Sequence, residues 1–294
     1  MRKLFLAITM FSYVSLNTAQ NIKFIEKPEL VFPHLVSTEK SEIKLTFSPD
    51  GTRMLWGTVG WENGIGGWDI WECVKENETW SKPKPVSFNS TSNDFDPCFS
   101  LDGKGVYFFS NRENGFGGDD IYFVPFDNKT KTYGSSINLG ENINSKGDEW
   151  GPVISEDGNA LIFCTDGRGG LGKHDIFISE LENGKWRSPK NMGHEINSPL
   201  DDFDPVFLSD GKSIVFASER KGLDQVDLFL SVWKENKYST PAVLDSTINS
   251  KDFWDFGCST NPQEKNILYF NSHKPENGIG KVDVYKIKYV IHKK

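Results

Sequence analysis

The sequence lacks the features of several common protein classes. It has 33 Lys and Arg residues against 41 Asp and Glu, a net charge of −8, and no basic stripe that would follow a nucleic-acid backbone. The five histidines are scattered and the four cysteines include no Cys-x-x-Cys pair, so little supports a zinc site. No nucleophile elbow, phosphate loop, His-metal motif or dinucleotide fingerprint is present. Nucleic acid is therefore excluded as a partner, and no catalytic motif points to an enzyme.

Long hydrophobic runs are also missing after the first nineteen residues. A charged start, Arg2-Lys3, is followed by a mostly apolar stretch, Leu4 to Leu16, and by three small residues, Asn17 to Ala19. This order is typical of a secretory signal peptide, and the stretch is too short for a membrane span. We therefore expect residues 1–19 to be a signal peptide and residues 20–294 to form one exported domain, periplasmic or secreted, without a membrane span.

Four cysteines in an exported chain raise the question of disulfides. Cys73, Cys98, Cys164 and Cys258 are spread over four different repeats, and each lies in or beside a predicted strand. A buried free thiol behaves as a small apolar side chain, which suits such positions better than pairing does. We expect the four cysteines to be free, with disulfide pairing as the alternative.

A unit of about fifty residues recurs five times and predicts the fold. An Asp-Gly pair marks the first four copies at Asp50, Asp102, Asp157 and Asp210, at spacings of 52, 55 and 53 residues. An apolar run ending in Ser or Thr follows, and then an Asp-aliphatic-aromatic triplet. The triplets begin at Asp69, Asp120, Asp175, Asp227 and Asp283. A repeat of this length, built from short strands and glycine-rich turns, is typical of β-propeller blades.

Each repeat is predicted to form four antiparallel strands, named A to D from the centre of the ring outward. Strand A precedes the Asp-Gly turn, strand B is the continuously apolar run, and strand C carries the triplet. Strand D is polar and contains proline, as in Trp80 to Pro83, which suits an outer edge strand.

The two ends of the chain predict how the ring closes. The last repeat stops soon after its strand C, and Val36-Ser37-Thr38 stands where Ile-Asn-Ser precedes other repeats. We therefore expect residues 27–36 to form the outer strand of the last blade. The predicted fold is an all-β, five-bladed propeller of four-stranded antiparallel blades, closed by an N-terminal strand.

Three motifs in the repeat also carry a family resemblance. They are the turn Ser48-Pro49-Asp50-Gly51, the strand end Ser110-x-Arg112 and the element Gly117 to Tyr122, and they resemble the TolB-type, WD-like propeller repeat. The glycine-rich stretch from Asn111 to Gly118 resembles the form found in envelope proteins of Bacteroidetes. The resemblance covers residues 25–287; it implies the propeller fold and leaves function open, because propellers host many functions.

Strand direction places the D–A and B–C loops on one side of the ring, here called the loop face, and the Asp-Gly turns on the other, the turn face. The turn face is expected to offer little concavity. The loop face combines carboxylates, arginines and Trp, which together suit a sugar or protein ligand. The residues predicted to bind a ligand there are Trp61, Asp94, Asp96, Arg112, Glu149, Trp150, Arg168, Asp202, Asp204, Arg220, Trp254 and Asp255.

Two interpretations compete for these polar residues. Because carboxylates and arginines recur from blade to blade, they are expected to pair with each other and with backbone groups. The recurrence is broken where Lys44 and Gly151 match Asp96 and Asp204, so binding of an asymmetric ligand is the alternative. The strand C aspartates recur in all five blades and are expected to be structural.

The tryptophans are expected to differ from one another. Trp150 and Trp254 occupy places near Phe95 and Phe203, which favours wedging between blades over ligand stacking. Trp61 lies in a glycine-rich loop and is expected to be the most exposed of the three.

The sequence thus predicts an exported, non-enzymatic, monomeric propeller that binds an envelope protein or glycan through its loop face. No cofactor is expected, although a bound cation such as calcium is compatible with the acidic face. The alternative is a glycosidase, whose candidate acids are Asp96, Glu149 and Asp204. Two carboxyl groups about 5–10 Å apart in an open pocket would favour the glycosidase, whereas carboxylates saturated by arginine and backbone donors would favour the binder.

Overall fold

The computed structural model describes residues 22–222, 225–273 and 278–292, which form a five-bladed β-propeller of antiparallel blades. The predicted fold class is confirmed. None of these residues forms a helix, so the described part of the chain contains no apolar helix long enough to cross a membrane. The predicted signal peptide, residues 1–19, lies outside the described residues.

The three inner strands of each blade follow the sequence repeat. Strands A are Glu42–Phe47, Asp94–Phe99, Glu149–Ile154, Asp202–Phe207 and Asp255–Asn261. Strands B are Arg53–Val59, Gly105–Ser110, Ala160–Thr165, Ile214–Ser218 and Glu264–Ser272. Strands C are Trp68–Glu76, Asp120–Asp127, Asp175–Glu182, Asp227–Ser231 and Asp283–Ile291. In every blade the Ser or Thr near the end of strand B lies opposite the Asp of strand C, as Ser110 does with Asp120.

The outer strand D is interrupted in most blades. In blades one to three it consists of two short pieces. These are Thr79–Trp80 with Lys84–Pro85 in blade one, Thr132–Tyr133 with Ile137–Asn138 in blade two, and Lys185–Trp186 with Lys190–Asn191 in blade three. Blade four uses Ala242–Val243, beside a separate hairpin of Trp233–Lys234 and Lys237–Tyr238. Because proline has no N–H to donate to the ladder, Pro83 and Pro189 fall in the interruptions of blades one and three.

A cross-strand aromatic pair fills the centre of each blade. The strand B members are fully buried, and their strand C partners lie directly opposite. The pairs are Trp56 with Trp71, Phe108 with Tyr122, Phe163 with Phe177, Phe216 with Phe229 and Phe270 with Tyr285. Such pairs bury large apolar areas and fix the register of neighbouring strands. The four cysteines are free, as expected, and three of them are buried.

An N-terminal strand closes the ring, as predicted. Strand Ile22–Leu30 pairs antiparallel with the last strand C, Asp283–Ile291, and forms the outer strand of blade five. The predicted range, residues 27–36, is wrong: the strand begins five residues earlier and ends at Leu30. Pro28 lies inside a register shift of this strand, where the missing N–H breaks no ladder bond.

The closure repeats a contact that joins the other blades. Asn89, Asn144, Asn197 and Asn249 each bind both backbone groups of one strand C residue; for Asn144 these are the N–H and carbonyl of Ile121, at 2.8 and 3.0 Å. At the closure Ser37 takes this place. Its hydroxyl accepts the N–H of Val284 at 3.3 Å and donates to the Val284 carbonyl at 3.5 Å. The match between Val36-Ser37-Thr38 and Ile-Asn-Ser is therefore confirmed.

Removal of the closing strand is expected to destabilise the whole ring. A chain that starts at residue 31 leaves the ladder edge of strand Asp283–Ile291 unpaired and exposes the side chains that cover it, of which Ile22 is buried. We expect the unfolding free energy to fall by at least about 3 kcal/mol, since one buried side chain alone contributes about 1.5–3 kcal/mol. Thermal and urea unfolding should be compared with a chain starting at residue 20. Equal midpoints for the two chains would show that the strand is not needed for closure.

Candidate functional site

The first residue of every strand A is a fully buried carboxylate that ends the preceding D–A loop. These residues are Glu42, Asp94, Glu149, Asp202 and Asp255. Each accepts a backbone N–H from a Ser or Thr four or five residues earlier. Glu149, for example, accepts the N–H of Ser145 at 2.9 Å and the hydroxyl of Thr165 at 2.7 Å. Four residues predicted to bind ligand, Asp94, Glu149, Asp202 and Asp255, therefore bind loop backbone.

Two of the predicted arginines pair with these carboxylates. Arg220 Nη2 lies 2.6 Å from Asp202 Oδ1, and Arg112 pairs in the same way with Asp94. Each guanidinium also lies about 5 Å from two aromatic ring centres of its own blade. The expected arginine–carboxylate pairing is confirmed for both.

Arg168 does not follow this pattern. Its Nη2 donates to the carbonyls of Glu141 and Asn144 at 3.0 and 3.1 Å, so the expected pairing with a carboxylate is wrong here. The reason is its position: Arg168 stands three residues after Thr165, whereas Arg112 stands two residues after Ser110.

The strand C aspartates hold the B–C loops. Asp175 accepts the N–H of Leu171 at 2.7 Å and that of Gly172 at 3.1 Å, and equivalent bonds form at Asp69, Asp120 and Asp283. In blade four the equivalent loop amides lie outside the described residues, and Asp227 contacts Lys221 and Gln225. The structural role predicted for these aspartates is confirmed in blades one, two, three and five.

The B–C loops also press against the next blade. A Cβ added at Gly66, Gly117, Gly172 or Gly280 would approach a carbonyl oxygen of the neighbouring D–A loop within 2.0–2.6 Å. Only glycine fits there, so each loop is held on one side by its own aspartate and on the other by the adjacent blade.

The middle of the ring is closed by a buried ionic cluster. Strand A of each blade has a bulge whose positive-φ residue is Lys44, Asp96, Gly151, Asp204 or Gly257. Lys44 Nζ lies 3.2 Å from Asp204 Oδ1, and the N–H of Gly257 donates to Asp204 Oδ2 at 2.8 Å. Lys44, Asp96 and Asp204 are all buried. Lys44, which stands where blades two and four have an aspartate, thus supplies the cation that offsets the negative charge beside it.

Burial shifts the pKa values in and near this cluster. Desolvation and the nearby Asp204 carboxylate raise the pKa of Asp96 to about 8, so Asp96 is protonated at neutral pH. Desolvation also raises the pKa of Glu149 to about 7. Burial alone would lower the pKa of Lys44, but the carboxylates of Asp204 and Asp96 raise it. The cluster is therefore close to neutral, which a buried site requires.

The three tryptophans lie in different surroundings. Trp61 is half-buried, with its ring centre 4.6 Å from that of Trp71 and its Nε1 donating to Glu42 at 3.2 Å. Trp150 lies between two blades, as predicted: its ring stacks on His174 of its own blade at 4.0 Å, and its Nε1 donates to Asp119 of blade two at 2.7 Å. Trp254 is 47% exposed. The expectation that Trp61 is the most exposed is wrong, because its loop folds back onto the tryptophans of its own blade.

Concave space lies on the turn face, contrary to expectation. A cavity of about 330 Å³ opens there between the A–B turns of several blades and is lined by Val153, Ile154, Phe207, Ile267 and Tyr289, among others. A smaller cavity of about 50 Å³ continues inward to Lys44. A single turn offers little concave surface, but the turns together surround an opening at the centre of the ring.

Sequence reasoning missed one set of loop-face residues. Ile65, Phe116 and Leu171 occupy the tips of equivalent B–C loops, and their side chains are exposed by 53%, 48% and 50%. The signal was present as Gly-x-Gly with an apolar middle residue in three successive repeats.

Loss of a strand C aspartate is expected to lower stability. Asp175→Ala removes the acceptor for the Leu171 and Gly172 amides and for Asn191 Nδ2, and unpaired buried donors typically cost about 1–3 kcal/mol. Glu180→Ala, at an exposed position of the same strand, is the matched control. Urea unfolding of both variants measures the difference, and equal stability would contradict the structural role.

The raised pKa of Asp96 predicts a pH dependence of stability. The folded state keeps this proton to about pH 8, whereas an unfolded Asp releases it near pH 4, so the unfolding free energy falls as pH rises through this window. Glu42 and Glu149, whose pKa values are raised to about 7, act in the same direction at lower pH. Between pH 7 and 8 we expect a slope of up to about 1.4 kcal/mol per unit, which Asp96→Asn flattens.

Urea unfolding at pH 7.0, 7.5 and 8.0 measures this slope. Glu113→Gln, an exposed carboxyl on the loop face, is the control and should leave the slope unchanged. An unaltered slope in Asp96→Asn would contradict a protonated Asp96.

Comparison with known proteins supports the fold alone. No protein-family model matches the sequence, and no curated protein sequence matches it. The chain is similar in structure to an endo-arabinase from Bacteroides thetaiotaomicron, with 13% identity, a TM-score of 0.55 and coverage of 88% of this chain and 97% of that one. It is also similar to a thermostable family-43 glycoside hydrolase, with 11% identity, a TM-score of 0.53 and coverage of 87% and 91%. A protein assigned as TolB in Agrobacterium tumefaciens matches at 18% identity and a TM-score of 0.50, with coverage of 85% and 83%.

Proposed function

We propose that this chain is an exported, non-enzymatic propeller that binds a partner protein through its loop face. One observation carries the proposal: of the eight large apolar side chains exposed in the described chain, six lie on or at the edge of this face. They are Val59, Ile65, Trp68, Phe116, Leu171 and Trp254. The remaining two, Ile137 and Val243, lie on outer strands. Exposed apolar side chains gathered on one face mark interaction surfaces.

The way these side chains are held supports protein binding. Ile65, Phe116 and Leu171 lie on loops whose backbone amides are bound by buried aspartates. Loops held in this way lose little conformational freedom when a partner binds, so more of the contact energy is available for affinity. Two of the three tips, Ile65 and Leu171, are aliphatic, and such side chains suit the apolar core of a protein interface better than a sugar ring, which stacks on flat aromatic faces.

A glycan is the alternative ligand, and Trp254 is the residue that favours it. This side chain is 47% exposed and stands on the loop face. Trp61 and Trp150 contribute less, because their rings are engaged with Trp71 and His174.

The glycosidase alternative finds little support in the surroundings of its acids. Raised pKa values, about 8 for Asp96 and about 7 for Glu149, resemble those of general acids. However, Asp96, Glu149 and Asp204 are 6%, 0% and 5% exposed, so a substrate and its attacking water have no access to them. Glu149 and Asp204 are also bound by internal donors, the pattern that favours a binder.

Export and location belong to the same proposal. The first nineteen residues carry the charged start, apolar stretch and small-residue end of a signal peptide. A TolB-like repeat in an exported protein favours an envelope protein as the partner, with the chain acting as a monomer.

Substitution of the loop tips is expected to abolish partner binding without unfolding the protein. The triple variant Ile65→Ser, Phe116→Ser, Leu171→Ser removes three exposed side chains, each expected to weaken binding by about tenfold, or about 1.4 kcal/mol. The control is Ile137→Ser with Val243→Ser, which removes equally exposed side chains from the outer strands. Photo-crosslinking groups placed at residues 65, 116 and 171, and separately at 137 and 243, would identify adducts in cells.

A discrete protein adduct from the loop tips that the outer positions do not give supports the proposal. Adducts from the outer strands alone, or from residues lining the turn-face cavity, would refute it. If Trp254→Ala abolishes binding of a soluble envelope glycan while the triple variant binds it normally, the glycan alternative is correct.

A further inference from the structure

Three positions recur at the loop-face ends of strands A, B and C in every blade. They are the residue before strand A, the residue after the Ser or Thr near the end of strand B, and the residue before the strand C aspartate. In blade three these are Asp148, Asp166 and His174, and all three are metal-ligating types. The other blades combine Ser41, Val59 and Trp68; Asn93, Asn111 and Asp119; Asp201, Glu219 and Val226; and Trp254, His273 and Val282.

These three side chains converge in blade three. One ligand atom from each of Asp148, Asp166 and His174 lies within 4.8 Å of the other two. Asp166 is exposed, and Asp148 and His174 are half-buried, so the cluster faces solvent. Two ligand atoms of one ion with bonds of about 2.0–2.2 Å lie at most about 4.4 Å apart, so these side chains need at most a small movement to share an ion.

The histidine is oriented for a ligand. His174 Nδ1 lies 2.9 Å from Asp201 Oδ1, which leaves Nε2 as the nitrogen for a metal. Nε2 is buried and has no hydrogen-bond partner, and the His174 side chain is only 11% exposed. A carboxylate on one imidazole nitrogen and a metal on the other is the usual arrangement of metal-bound histidine. A buried, unpartnered ring nitrogen otherwise costs stability.

The fold does not need the charges of Asp148 and Asp166. In blade three the N–H of Asp148 donates to Asp166 Oδ1 at 2.8 Å. In blade two the same bond joins two neutral amides, from the N–H of Asn93 to Asn111 Oδ1 at 2.9 Å. The carboxylates therefore add negative charge that the loop structure does not require, and each keeps its Oδ2 for another ligand.

The surrounding charge also favours a cation. Asp119 lies beside the cluster, and its Oδ1 is buried without a hydrogen-bond partner. Lys173 lies 3.1 Å from Asp201 and 3.8 Å from Glu219, so this cation pairs with the carboxylates of blade four.

We propose that blade three binds a divalent transition-metal ion through Asp148, Asp166 and His174, with Asp201 as the residue that positions the histidine. Imidazole together with carboxylates is a ligand set of zinc, manganese and related first-row ions, whereas calcium takes oxygen ligands. The site lies next to Trp150, which stacks on His174, and on the same face as the exposed loop tips.

Calorimetric titration of the metal-stripped protein with zinc, manganese and calcium chloride tests the proposal. We expect saturable binding of one zinc or manganese ion per chain, with calcium at least about tenfold weaker. Asp148→Asn, Asp166→Asn and His174→Gln should each weaken zinc binding by at least tenfold. Asp201→Asn should weaken it by about 10–100-fold, as loss of a carboxylate behind a ligating histidine does.

Matched controls separate this site from other acids and histidines. Glu156→Gln removes an exposed carboxylate on the turn face, and His194→Gln removes an exposed histidine; both should leave zinc binding unchanged. The Asn variants retain the Oδ1 acceptors, and unfolding of each metal-free variant checks that it is folded.

Three results would overturn the proposal. They are no saturable zinc or manganese binding, zinc binding unchanged by the blade-three substitutions, and calcium binding as tight as zinc. An anomalous zinc signal in crystals, placed between Asp148, Asp166 and His174, would support it. None of these outcomes depends on whether the loop tips bind a protein.

Discussion

Buried carboxylates that bind loop amides are the constraint on which this propeller depends. Every blade places one at the start of strand A and another near the start of strand C, where the chain enters the sheet from a loop. Backbone N–H groups in these loops have no ladder partner, and each would cost stability if it were buried unpaired. The carboxylates remove that cost without a helix or a long loop, and so the five blades end in short, fixed loops on one face.

This arrangement separates the structural part of the loop face from the part free to bind. Nearest the axis, Lys44 and Asp204 neutralise each other beside the protonated Asp96, in a space that solvent barely reaches. A deep ligand site in the channel would need these charges exposed, whereas here they close it. Farther out, the held loops present Ile65, Phe116 and Leu171 to solvent. Recognition on such a surface depends on a rim of fixed contacts, and that geometry suits the broad face of another macromolecule.

Much of the fold could be predicted because its determinants are local and repeated. The Asp-Gly turns, the apolar strand B and the strand C aspartates define each blade, and Ser37 could be matched to the recurring asparagines. The exact closing strand could not be predicted, since Ile22–Leu30 contains a bulge around Pro28 that breaks its pattern. Three other features depend on contacts between distant residues, which a repeat does not encode. They are the exposure of Trp61, the place of Gly257 in the strand A bulge and the turn-face cavity.

Departures from the repeat have different meanings in buried and exposed places. In the channel, Lys44 replaces a carboxylate next to two others, and burial demands such a compensating charge. The glycines of blades three and five provide room at the same level: a Cβ at Gly151 would lie 2.9 Å from Asp204 Oδ1. At the solvent edge of blade three, by contrast, the departure from the repeat adds charge that burial does not demand. Asp148 and Asp166 stand where Asn93 and Asn111 of blade two make the same bond without charge. A charge that the fold does not need, beside a histidine already held by Asp201, is what the proposed metal ion would bind.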